Sequence, residues 1–194
     1  MMIDTILPDY DVTHVSETVV DATPVETYRA FLDADLRDPL IGMLFAVREL
    51  PERVRRRWYC APPAPKEAVT FRGIANEGPG WTWLVEDPGF EFVVGSVGRF
   101  WKRDYGGRAV TAEEFLRFNE PGYARLAISF SVRPKDFDRT VLRYEARTVA
   151  TDEESRRKLR MYWRVIEPGV AIVMDRALKR IRAHAEQALV GAGA

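Results

Sequence analysis

Few side chains in this sequence are of the kinds that do chemistry, and they are scattered. The chain has two histidines and one cysteine. His14 lies in His14-Val15-Ser16-Glu17-Thr18-Val19-Val20, where a period of two puts it on one strand face with Ser16, Thr18 and Val20. If Val20 faces a core, His14 reaches the rim of that core as a candidate general base; the ordinary alternative is a structural or solvated histidine. His184, late in a long helical pattern, reads as a complement to the helix dipole or as a surface group. Cys60 follows Arg53, Arg55, Arg56 and Arg57, whose field favours a thiolate, but no histidine is adjacent and the inert reading is preferred. Tyr144 and Tyr162 are better polar candidates, because each belongs to an apolar stripe yet carries a hydroxyl that needs a partner. They would orient a ligand carbonyl, or bond to each other or to the backbone. With no second cysteine and no histidine cluster there is no zinc ligand set, and Gly106-Gly107 matches no phosphate-binding loop. No metal, nucleotide or other cofactor is expected.

Composition narrows the partners. The sequence has 194 residues, 46% hydrophobic and 30% charged, which is a globular balance sufficient for one full core. Lys+Arg and Asp+Glu are both 29, so no basic field exists to draw nucleic acid. A single cysteine excludes an internal disulfide, Met1 to Asp11 lacks the pattern of a secretory leader, and the longest apolar run, Leu40 to Val47, is too short to span a bilayer. These features predict a cytoplasmic chain without a membrane span, folded as a single domain over 1–194 with an ordered core at about 14–189.

The elements that must position these residues follow from local signals. His14 to Ala22 reads as a strand, and Thr23-Pro24-Val25-Glu26 is a capping box that starts a helix ending near Asp33. Asp38-Pro39 opens a second short helix, apolar nearly all round, in which Leu40, Met43, Leu44 and Phe45 form either a lid or a packed core helix. Pro51 to Pro65 reads as a long loop. Trp81 to Glu86 and Phe90 to Trp101 form a hairpin around Asp87-Pro88-Gly89. Thr111-Ala112-Glu113-Glu114 is another capping box, predicting a short helix through Phe118. In Tyr123 to Val132 the residues Leu126, Ile128, Phe130 and Val132 share a face, and in Thr140 to Val149 so do Leu142, Tyr144, Ala146 and Thr148, leaving Arg143, Glu145 and Arg147 to a wet face as a charge ladder. From Asp152 onward, Leu159, Tyr162/Trp163, Ile166, Val170, Val173, Ala177 and Ile181 make one helical stripe, with Pro168-Gly169 predicting a kink or break near Glu167.

A curved antiparallel sheet closed over one long helix needs large inward side chains or leaves a cavity. The inward set is Trp81, Trp83, Phe92, Phe100, Phe118, Leu126, Ile128, Phe130, Leu142, Tyr144, Tyr162, Trp163 and Ile166. The same aromatics could instead fill the centre as core.

Particular segments resemble a known superfamily. Val20-Asp21-Ala22-Thr23-Pro24-Val25-Glu26-Thr27-Tyr28 is similar to the strand-to-helix junction of the START/Bet v 1-like (SRPBCC, polyketide-cyclase-like) proteins, with Thr23 where a first proline is usual. Val97-Gly98-Arg99-Phe100-Trp101, Asn119 to Ala124 and Tyr162 to Gly169 resemble segments of a bacterial subgroup, and the likeness spans about Val15 to Glu186. The resemblance implies an α+β helix-grip fold: a curved antiparallel sheet wrapped around a long C-terminal helix, with two short helices after the first strand. It also implies a menu of roles, from binding of sterols, lipids, polyketides or other hydrophobic molecules to their cyclisation or dehydration, because one fold hosts many sites. The leading expectation is a carrier of a hydrophobic small molecule. The alternatives are a cyclase- or dehydratase-like enzyme using Tyr144, Tyr162 and His14, and an interaction module, with a homodimer among the possibilities.

Overall fold

Five strands form one antiparallel sheet in the order β1-β5-β4-β3-β2: β1 is Val12–Val20, β2 Trp81–Asp87, β3 Glu91–Gly98, β4 Ala124–Pro134 and β5 Thr140–Ala150. The helices are α1 (Met2–Ile6), α2 (Pro24–Asp33), α3 (Ala112–Arg117) and α4 (Glu153–Ala192). The computed structural model describes residues 1–33, 80–102 and 104–192. The expected second short helix, with Leu40, Met43, Leu44 and Phe45, lies outside the described residues, as does Cys60.

The local signals act as their chemistry requires. The Thr23 hydroxyl and N–H both donate to Glu26, and in α3 the Thr111 side chain accepts from the Glu114 N–H at 3.2 Å while the Glu114 carboxylate takes the Thr111 N–H at 2.7 Å. Asp152 caps α4 by accepting the Ser155 N–H at 2.8 Å, and it also accepts the Gly122 N–H. Those bonds hold its carboxyl down at about 2. The β2–β3 turn is closed by Gly89 at φ 92°, a left-handed conformation glycine adopts without strain.

The helices divide between the two faces of the sheet. α4 packs along β1 and, less extensively, on β5, and α2 packs against α4 and β4. Together they cover the concave face, which makes the architecture a helix-grip α+β fold. α1 and α3 cover the other face. There Ile3, Leu7, Val93, Val97, Ala127 and Phe115 form a second apolar cluster, and Phe115 can settle onto β3 because Gly95 offers no Cβ, which would lie 2.8 Å from the ring.

Two expectations need correction, and a third is narrowed. The outer face is not wet along its length: Glu145 and Arg147 are buried, bonded to each other at 2.8 Å. Arg143 and Asp4 extend the network at 2.8 and 2.6 Å, so the charge ladder exists but α1 lies over it. The ordered core begins before residue 14, since Ile3 and Leu7 are essentially inaccessible. Of the kink or break expected at Pro168 there is no break: α4 is continuous through that residue. The carbonyl that Pro168 cannot bond belongs to Arg164, and both residues are exposed, so water can take the bond that the helix loses.

Candidate functional site

Strand register lays the concave face out in rows. The first row is Phe92, Phe130, Tyr144 and Ser16 on β3, β4, β5 and β1. The second is Trp83, Val94, Ile128, Ala146 and His14, and the third is Trp81, Ser96, Leu126, Thr148 and Val12. The first row is filled: Phe31 of α2 stacks on Phe92 at 5.2 Å between ring centroids and lies 4.4 Å from Phe130, whose edge meets Tyr144 at 5.0 Å. Trp83 continues the column at 4.9 Å from Phe92. Here the aromatics serve as core, with Leu142 fully buried beside them.

The next two rows differ. Their β3 and β5 members are small, being Val94, Ala146, Ser96 and Thr148, while the β4 members Leu126 and Ile128 stand between them. β4 is the central strand, yet Leu126 and Ile128 are only half-buried, as are Trp81 and Trp83. The helix repeats the pattern. Leu159 at one end of α4 and Ala177, Leu178, Ile181 and Ala185 at the other are buried, but no residue between Leu159 and Ala177 is. Tyr162, Ile166, Val170 and Met174 recur at four-residue intervals through that middle segment, and Trp163 lies beside them; all are half-buried. Tyr162 and Met174 pack on the concave clusters, which orients this stripe inward.

Polar groups gather at the β1 edge of this region. His14 is 9% exposed; its Nε2 lies 3.0 Å from Ser16 Oγ and its Nδ1 3.5 Å from a carboxylate oxygen of Glu167 on α4. Its ring is 6.3 Å from that of Tyr144. Burial alone pushes the Tyr144 phenol well up, and among the described residues its hydroxyl has no hydrogen-bond partner. It is therefore a neutral donor at physiological pH. The Ser16 and Glu167 contacts were not anticipated from sequence, although Ser16 shares the strand face of His14.

Other predicted site residues lie apart. Phe100 belongs to an end cluster with Ala124, Ala150 and Leu159, against which Tyr162 and Leu126 also pack. Phe118 is a correction: it sits on the opposite face, edge-on to Tyr123 at 5.6 Å, because α3 follows Phe115 onto the outer cluster. His184 is exposed. An open depression of about 560 Å³ beside α3 is lined by Arg108, Glu113, Arg117 and Glu120, and its charges are paired at 2.9 and 3.0 Å. Among the described residues no three His, Cys, Asp or Glu side chains come together as a metal set, and no helix is long and apolar enough to cross a membrane.

The strand order, the gripping helix and the covered concave face define a helix-grip α+β fold. Solved structures similar to this chain include norcoclaurine synthase from Thalictrum flavum, at 13% identity and a TM-score of 0.41 over 92% of this chain and 87% of that one. Others are a protein from Chromobacterium violaceum, at 13% and 0.40 over 90% and 97%, and a hypothetical protein from Helicobacter pylori, at 10% and 0.40 over 94% and 92%. No family model matches the chain, and no curated protein does.

Proposed function

We propose that this chain binds a hydrophobic small molecule between the middle of α4 and the second and third rows of the sheet. One observation carries the reading: inward-facing apolar side chains on a central strand and on the helix above it, Leu126, Ile128, Tyr162, Ile166 and Met174, all stop short of burial. A core would close over such residues, since interiors pack to crystal-like density and each exposed methylene forfeits about 0.8 kcal/mol. An apolar guest would recover that energy, and Tyr144 and His14 would supply the few polar contacts that fix its orientation. Native mass spectrometry of gently purified protein, followed by solvent extraction, tests this. A retained apolar compound, or binding of a fluorescent apolar probe, is the expected result; protein that neither retains a compound nor binds the probe would refute it.

A second reading rests on the polar group itself. Tyr144 as a neutral donor, beside a histidine oriented by Ser16 and Glu167, could polarise a carbonyl and move a proton, as in a cyclisation or dehydration. In that reading His14→Gln abolishes turnover of a bound polyketide-like or aromatic substrate while leaving its binding intact. Equal loss of binding and turnover would assign His14 to binding alone.

A further inference from the structure

The outward face of α4 is unlike that of an ordinary surface helix. Its inward stripe buries Leu159, Ala177 and Ile181, and at 100° per residue the opposite side is traced by Glu154, Lys158, Met161, Val165, Pro168, Ile172, Asp175 and Lys179. The spacing alternates four and three residues without interruption, which is the seam pattern of a coiled coil. The centre of the seam is apolar and open to solvent: Met161 is 69% exposed, Val165 80% and Ile172 52%. The ends are charged, and each end carries both signs: Glu154 with Lys158, and Asp175 with Lys179.

We infer that this seam is a self-association surface whose occupant is the α4 of a second copy, packed antiparallel about a twofold axis between Val165 and Pro168. Isologous antiparallel packing pairs each position with a fixed one on the partner. On this chain it sets Met161 against Ile172, Val165 against Pro168, Lys158 against Asp175 and Glu154 against Lys179. Every charged position then faces its opposite, and every apolar position faces an apolar one. A parallel arrangement would instead stack Lys158 on Lys158 and Asp175 on Asp175. Pro168 has no long side chain and Gly169 has open space around it, so two helices can approach closely at the axis. Other exposed apolar residues lie on different elements: Val25 is in α2 and Phe137 in the turn between β4 and β5. A single helix pair falls near the lower limit of about 1,000 Å² for a specific interface, so the dimer dissociates in the micromolar range or above.

The pairing makes a test that local helix damage cannot imitate. Lys158→Asp and Asp175→Lys each break one pair within α4, Lys158–Glu154 at 2.5 Å or Lys179–Asp175 at 2.8 Å, and each sets like charges against each other at both ends of its own homodimer. Mixed one to one, the two variants restore opposite charges at both ends of a heterodimer. Sedimentation equilibrium over a concentration series reads the result, with thermal melts confirming that each variant is folded. Expected are a dimerising parent, two single variants weakened roughly tenfold or more, and recovery of the parental affinity in the mixture. Val165→Glu, which places two carboxylates beside the axis, gives a monomer should either reversal variant fail to fold. A parent monomeric up to about 1 mM, reversal variants that still dimerise, or a mixture that does not recover would each overturn the proposal.

Discussion

Removing one oxygen from Tyr144 separates a ligand-binding phenol from a structural one, because the first role predicts a loss of binding alone and the second a loss of stability. Tyr144→Phe keeps the ring contacts with Phe130 at 5.0 Å and with His14 at 6.3 Å, and deletes only a hydroxyl that has no partner among the described residues. Tyr144 retains 5% exposure, and its hydroxyl is not among the buried side-chain atoms left without a partner, so water reaches it. The ligand-free variant should therefore match the parent in stability to within about 1 kcal/mol, readable by calorimetry and by the urea midpoint. Binding should change. A fluorescent polyene fatty acid, whose carboxylate accepts from the phenol, should bind roughly five- to tenfold more weakly, whereas pyrene, which offers no acceptor, should bind unchanged. Destabilisation by more than about 1 kcal/mol would show that the hydroxyl has a structural partner. Equal weakening of both probes would show that it does not read the polar end of a ligand.

Leu126→Trp should fill the space beneath α4, lowering probe affinity more than tenfold while costing less than about 1.5 kcal/mol of stability by urea melt; a loss of several kcal/mol would mean that no space is there to fill. Glu145→Ala removes a 2.8 Å partner from both Arg143 and Arg147 but leaves Arg143 with Glu17 and Arg147 with Asp4 and the Leu7 carbonyl, and should destabilise by about 1–2 kcal/mol; a cost near zero would mean that α1 does not seal the network from water. Asp152, held at about 2 against an ordinary 3.8, contributes stability that is full above about pH 4 and is lost as pH falls through about 2. Asp152→Asn still caps α4 but should flatten that acid limb, whereas Asp152→Ala should cost about 1 kcal/mol at neutral pH; an unchanged acid limb in both would assign the acid sensitivity to other carboxylates.

What could be read from the sequence was what depends on near neighbours. Thr23 with Glu26 and Thr111 with Glu114 announce helix starts because each satisfies backbone donors three residues away, and the alternation in β4 and β5 exposes the inward set because the strand period is two. Tertiary features were not legible in this way. Glu145 and Arg147 alternate as a solvated strand face does, and nothing near them reports that Asp4 and the carbonyl of Leu7 arrive from the far end of the chain. Phe118 follows Phe115 to the outer face because Gly95 leaves a hollow there, a contact between distant strand and helix. Of the two outcomes that Pro168 allowed, a kink or a break, the sequence could not exclude the break; packing at both ends of α4 outweighs one missing bond. The candidate site was half-visible. Its aromatic members could be named, but which of them fill the centre and which stay half-buried depends on register, since only register sets Ala146 and Val94 beside Ile128, and Thr148 and Ser96 beside Leu126.

The two proposals meet on one stretch of helix. α4 is fastened at its start, where Asp11 accepts from Arg156 at 2.7 Å and Asp152 caps the first turn, and again near its end, where Leu178, Ile181 and Ala185 pack into the main core. Between these anchors no residue of α4 is buried: the inner stripe is half-buried, and Met161, Val165 and Ile172 stand exposed on the outer side. Pro168 stands in the middle of that span and removes one of its hydrogen bonds. A helix supported at both ends and weakened between them is stiffened by whatever packs on either side. A guest beneath it and a second copy above it would therefore act on the same segment from opposite faces.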